Sequence, residues 1–281
     1  MTLRDNIVKI RSHLAQFYPK TEIDAFVRII FERIMNYTQV DMILHDSDEL
    51  PGFICDKIDA IIQRLTAHEP IQYILDDAYF YGMHFHVNGD TLIPRPETEQ
   101  LIDLIAEQNV AEDLHLLDIG TGSGCIAIAL ARTLKFPIVD AIDISKGALD
   151  IAALNAKELK VRVNFSQLDI LKAASPKASI YDIVVSNPPY ITQRERNDMD
   201  ANVLNYEPHS ALFVPDDNPL LFYRSIAEYS LSALKNGGKL YFEINPLFAD
   251  EMVKMLTDMG YDAVATVRDY TGKLRFTSAT R

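Results

Sequence analysis

Cysteine is scarce in this chain of 281 residues: only Cys55 and Cys125 occur, far apart and in no CxxC pair. That excludes a disulfide framework and a cysteine-built zinc site, and points to a reducing cytoplasm. Basic side chains are in deficit, with 27 Lys and Arg against 40 Asp and Glu and a formal net charge of −13. The resulting average field repels phosphate backbones, so a protein or small-molecule substrate fits better than stable nucleic-acid binding. Long hydrophobic runs are missing too. No stretch approaches the roughly 18 apolar residues of a membrane span, and the opening Met1 to Asn6 carries charges, so neither export nor anchoring is expected. The histidines His84, His86 and His209 show no helical pairing, and no metal is expected. What is present is apolar material, 48% of the chain, enough for a substantial core divided between two unequal domains.

Residues 1–75 read as a small helical bundle. Ile23, Phe26, Val27, Ile30 and Ile34, then Ile54, Ile58, Ile61, Ile62 and Leu65, recur at spacings of three and four and give each helix one buried stripe. Residues 76–95 change character: Tyr79, Phe80, Tyr81, Phe85 and Val87, then Thr91 to Ile93, bracket Asn88-Gly89-Asp90, which predicts a β-hairpin linker turning at that tripeptide. Pro94 and Pro96 hold the chain extended before a helix opens near residue 97.

From residue 96 to 281 strands alternate with helices, predicting a seven-stranded, doubly wound α/β sheet of Rossmann-like type. Strands are expected at 114–119, 138–142, 161–166, 180–186, 239–244, 262–267 and 273–278. Asn236-Gly237-Gly238 is expected to close the helix that starts at residue 220, and residues 192–219 show no pattern. The first strand runs into Gly120-Thr121-Gly122-Ser123-Gly124, a turn whose glycines admit a ligand close to the backbone and whose following helix offers unpaired N–H groups. No Gly-Lys-Ser/Thr follows, so this is not a Walker loop. Asp143, ending the second strand about 20 residues later, suits a ribose diol. A dinucleotide or S-adenosylmethionine fits these features. Asp118 before the first glycine tips the balance toward the latter, because a carboxylate repels pyrophosphate but can face an ammonium group. Asp169, behind the third strand, suits an adenine amino group.

The fourth strand stops at Ser186-Asn187-Pro188-Pro189-Tyr190. The prolines cannot continue a central strand, so Asn187 is expected to project at the sheet's carboxyl edge, where open α/β sheets bind ligands.

Asp118 to Gly124 resembles motif I of class I S-adenosylmethionine-dependent methyltransferases, and Asn187 to Tyr190 resembles the motif of their amino-group branch. Glu69 to Ile74, Phe85 to Val87, Ile93 to Glu99, Tyr206-Glu207-Pro208 with Ala211-Leu212, and Arg268 to Tyr270 with Arg275 are similar, in order and spacing, to the bacterial release-factor glutamine methyltransferases (the PrmC/HemK family). That resemblance implies methylation of the side-chain N5 of the Gln in the Gly-Gly-Gln motif of peptide-chain release factors. Separately, the helices of residues 1–75 are expected to dock the substrate, the charge balance argues against a stable nucleic-acid partner, and a monomer is expected. It places cofactor binding on Asp118, Gly120, Thr121, Gly122, Ser123, Gly124, Asp143, Asp169, Ile170 and Asn187, and substrate binding on Asn187, Pro188, Pro189 and Tyr190. Two departures stand out: Ile170 lies where an aromatic is common, and Asn245-Pro246 lies in a region where the family usually has a glycine.

An amide nitrogen is a poor nucleophile, since its lone pair is delocalised, and must be held in line with the methyl carbon. The Asn187 side-chain oxygen and the Pro188 carbonyl can each accept one N–H of the substrate amide, while the Tyr190 ring covers its flat face, which makes Asn187, Pro188 and Tyr190 the catalytic candidates. Two other functions compete: amino methylation of nucleic acid, at adenine N6 or guanine N2, and a non-catalytic S-adenosylmethionine-binding module. The sparse Arg194 and Arg196 among Glu195, Asp198 and Asp200 disfavour the first.

Overall fold

The computed structural model describes residues 1–281, with the exception of the side chain of Asp198. By contacts the chain forms two compact units, Met1–Asp77 with Asp200–Tyr206, and Ala78–Met199 with Glu207–Arg281.

The smaller unit is helical, with helices Leu3–Leu14, Lys20–Met35, Gln39–Leu44, Gly52–Thr66 and Ile71–Leu75, joined by Ala201–Tyr206 from far along the chain. Thr2 and Asp5 form a capping box that starts the first helix by satisfying otherwise orphaned amides. The stripes converge on one core containing Ile10, Leu14, Ile30, Phe31, Ile58 and Leu65. The Tyr206 hydroxyl donates to the Ala67 carbonyl at 2.8 Å.

In the larger unit the hairpin is β1 (Ala78–Phe80) with β2 (Met83–Phe85). Its turn is therefore Tyr81-Gly82, not Asn88-Gly89-Asp90 as the sequence suggested. Gly82 takes the positive φ (74°) that a tight turn requires, whereas Asn88 instead accepts the Asp90 N–H in a local turn of its own. Phe80 and Phe85 bury into the sheet's core, so the expected linker folds with this unit. The remaining strands are β3 (His115–Ile119), β4 (Ile138–Asp143), β5 (Asn164–Gln167), β6 (Tyr181–Ser186), β7 (Ile191–Thr192), β8 (Phe213–Val214), β9 (Leu234–Glu243), β10 (Asp262–Arg268) and β11 (Leu274–Thr280). The short β7 and β8 pair with each other and give order to the stretch that showed no pattern. The helix after residue 220 ends at Ala233; Asn236 to Gly238 lie inside β9 rather than capping that helix.

Seven strands form one sheet in the order β10-β11-β9-β6-β3-β4-β5, with β11 antiparallel to its neighbours. Side-chain alternation sends Leu116, Ile183 and Val185 into one core and Leu117, Ile119 and Val184 into another, so β3 and β6 are buried on both faces. From β3 the chain steps outward through β4 and β5, then returns to lay β6 on the other side of β3. The strand order reverses between β3 and β6, which opens a crevice at their carboxyl ends. Ile119 and Ser186 are paired there, and the Ser186 hydroxyl donates to the Ile119 carbonyl at 2.6 Å.

Candidate active site

The glycine turn and the Asn-Pro-Pro-Tyr segment both begin one residue beyond that pair. Gly120, Gly122 and Gly124 all have positive φ (75°, 54° and 81°), the conformation that favours glycine. A Cβ at Gly120 or Gly122 would meet no atom within 4 Å, which leaves their backbone open to a ligand. Gly124 instead caps the helix Cys125–Thr133, packed so closely that a Cβ would lie 3.1 Å from that of Ala152. Asn155, buried on the neighbouring helix, fixes the loop: its Nδ2 donates to the Ser123 carbonyl at 2.9 Å and to the His86 carbonyl at 3.0 Å, and its Oδ1 accepts the His86 N–H.

A cavity of about 240 Å³ extends from this loop along the sheet edge. Gly120, Thr121, Gly122, Ser123, Asp143, Asp169, Ile170, Asn187, Pro188 and Pro189 line it. Asp143 accepts the Gly122 N–H through Oδ2 (2.9 Å) and the Ser145 N–H through Oδ1 (2.8 Å), which aims its carboxylate across the loop. Asp169 accepts from the Leu171 N–H and pairs with Lys172 at 2.8 Å, and Lys172 holds its carboxyl below the ordinary value. Phe222 and Ile226, from the helix Leu221–Ala233, also line the cavity and bring in the aromatic ring that position 170 lacks.

Besides Gly124, two predicted residues sit outside the cavity lining. Asp118 is fully buried beneath the loop and does not line the cavity. Its Oδ2 accepts from the Thr121 hydroxyl at 2.7 Å, while Oδ1 has no hydrogen-bond partner among the described residues. Burial pushes its carboxyl up to about 7, against the pull of the Thr121 hydroxyl and of the nearby Ala127 amide. The strand's alternation explains the placement, since Asp118 ends the row that points into the covered face and shapes the loop through Thr121. Tyr190 is also turned inward: its ring packs on the core, its hydroxyl donates to Glu243 Oε1 at 3.1 Å, and burial raises its pKa.

The opposite wall of the cavity includes Pro94, Arg95, Thr98 and Pro208. Glu207, almost wholly buried, accepts from Arg95 at 2.6 Å and from the Ile93 N–H at 3.2 Å, tying two distant stretches into one wall. Periodicity gave no sign of this pair; both residues belong to segments that carried only the family resemblance. Among the described residues, no cluster of three or more His, Cys, Asp or Glu is arranged to hold a metal ion.

Residues 97–208 match the family model described as methyltransferase small domain, and residues 7–75 match the PrmC N-terminal domain. A release factor glutamine methyltransferase of Bacteroides thetaiotaomicron is 44% identical over 272 residues, covering 97% of this chain and 98% of that protein. The protein of the same description from Flavobacterium psychrophilum is 41% identical over 266 residues, 93% of each chain. Among solved structures, a methyltransferase from Pyrococcus furiosus matches with a TM-score of 0.53 at 16% identity, covering 78% of this chain and 95% of that one, a likeness of fold alone. Near full-length identity of this order, joined to a glycine loop and Asn187-Pro188-Pro189 on one cavity, places the chain in the release factor glutamine methyltransferase family.

Proposed function

We propose that this chain methylates the side-chain amide nitrogen, N5, of the glutamine in the Gly-Gly-Gln motif of peptide-chain release factors, using S-adenosylmethionine. The observation that carries the reading is the convergence of Asn187 and Pro188 with the glycine loop and Asp143 on one cavity at the strand-order switch. The residues fit such a donor: open backbone at Gly120 and Gly122, a carboxylate at Asp143 for the ribose hydroxyls, and Leu168, Ile170 and Phe222 for a flat base. When bound, the cofactor supplies a methyl carbon made electrophilic by a sulfonium. The Asn187 side-chain oxygen and the Pro188 carbonyl accept the two N–H groups of the substrate amide and turn its nitrogen toward that carbon. A bound donor would give up its methyl group and keep the electron pair of the broken S–C bond, while Asn187 and Pro188 hold the amide nitrogen that would then pass its surplus proton to water, so that no general base on the protein is required.

The helical unit docks the release factor away from its glutamine; an unaltered KM after substitutions across that unit's exposed surface would refute this. The chain acts in the cytoplasm as a monomer, which a sedimentation measurement on the purified protein checks. Charge favours a protein substrate over nucleic acid: among the described residues the one guanidinium on the cavity wall, Arg95, is already paired with Glu207. The deciding assay offers labelled S-adenosylmethionine with a release factor, its Gly-Gly-Ala variant, duplex DNA and ribosomal RNA. Label is expected in the release factor alone, and Asn187→Ala should lower kcat by about a hundredfold while cofactor binding persists. Label in DNA or RNA but not in the release factor overturns the reading.

A further inference from the structure

We propose that Glu243 and Asn245, at the end of β9, position the catalytic segment by holding Tyr190 at both ends, an inference that rests on the placement of the reaction at Asn187 and Pro188. Pro188 and Pro189 have no N–H, so between Ser186, the last ladder residue of β6, and Ile191, whose N–H reaches the Leu212 carbonyl at 2.9 Å, the backbone has little means of fixing itself. Tyr190 supplies the missing anchors. Its hydroxyl donates to Glu243 Oε1 at 3.1 Å, and its carbonyl accepts from Asn245 Nδ2 at 3.1 Å.

Both partners are themselves fixed. Glu243 is buried, and its Oε2 accepts from the Thr98 hydroxyl at 2.6 Å, while the Tyr223 hydroxyl donates to its backbone carbonyl at 3.1 Å. Asn245, also buried, donates to both Glu195 carboxylate oxygens at 3.1 Å and accepts the Leu247 N–H at 3.0 Å. Glu195 in turn accepts from the backbone and hydroxyl of Thr192, in β7 immediately after Tyr190. One buried carboxylate and one buried amide thus connect the helix Pro96–Gln108, β9 and the Asn-Pro-Pro-Tyr turn. Asn245 stands in the region where the family resemblance leads one to expect a glycine, which could make none of these side-chain bonds.

Tyr190→Phe removes the hydroxyl and keeps the buried ring; Asn245→Gly removes the amide. Each variant is measured for hydrogen exchange in the peptide covering 187–195, for S-adenosylmethionine affinity, and for kcat and KM with a release factor. Exchange in that peptide should rise severalfold and kcat fall by about tenfold, with cofactor affinity and KM near wild type. Wild-type exchange and kcat in both variants, or faster exchange spread evenly over the sheet, overturns the positioning role. A wild-type protein that leaves release factors unlabelled sinks the substrate assignment alone, and the exchange measurement still decides the bracket.

Discussion

Replacing Asp118 with Asn should change how stability depends on pH. The carboxyl is fully buried, holds Thr121 through one oxygen, and is moved by burial from its ordinary 3.8 to about 7. Between those values the folded chain keeps a proton that the unfolded chain has released. Stability contributed by this group is complete below about pH 4 and is lost as pH rises toward 7, at about 1.4 kcal/mol per pH unit. Above 7 the folded form ionises as well and the loss levels off near a total of about 4 kcal/mol. Asparagine keeps an acceptor for Thr121 and does not titrate. Urea unfolding of both proteins without cofactor, at pH steps from 5 to 8.5, should therefore show wild-type stability falling relative to the variant up to pH 7 and running parallel beyond it. A difference that is constant across the range would refute the assignment of the shift to burial of this carboxyl.

Arg95→Ala leaves the buried Glu207 carboxylate with the Ile93 N–H as its remaining partner among the described residues and should cost about 3 kcal/mol in denaturant unfolding at pH 7; Glu207→Gln, which buries no charge, should cost less. Equal losses would show that the charge is not what matters. At the other end of the sheet Asp140 accepts from Asn164, Tyr181 and His115, and although burial alone would raise its carboxyl, those bonds hold it below the ordinary value. Its contribution is present above pH 4 and disappears as pH falls through the lowered value. Asp140→Asn should be less stable than wild type at pH 7, with a gap that narrows below pH 4, as followed by circular dichroism during acid titration.

Repetitive local chemistry made the fold legible. The apolar runs of β3 and β6, the helical stripes of residues 1–75 and the glycines after β3 each carry a periodicity or a backbone requirement that a single sequence displays. The Asn-Pro-Pro-Tyr stop was legible for the same reason, because proline ends a central strand wherever it occurs. What stayed hidden depends on partners remote in sequence. Arg95 and Glu207 lie 112 residues apart, and Thr98 and Glu243 lie 145 apart. Direction was hidden as well: composition cannot tell that Tyr190 faces its own core or that Asp118 lies under the loop instead of in the cavity. The misplaced hairpin turn has a simpler cause. Asn-Gly-Asp is strong turn chemistry, but Tyr81-Gly82 sits between the two strands whose aromatic faces find buried neighbours, and packing outweighs the local signal.

The helix Ala201–Tyr206 has a consequence for how such a protein can be altered by recombination. Because the smaller unit is completed by residues that arrive some 120 positions after the rest of it, no single break in the gene separates one unit from the other. A crossover near residue 77 would exchange five helices and leave the sixth behind from a different parent, with Tyr206 seeking the Ala67 carbonyl of a foreign bundle. Chimeras of relatives should be the more stable, by about 1 kcal/mol, when 200–206 travels with 1–77, which makes that short helix inherit with the N-terminus despite lying within the methyltransferase sequence.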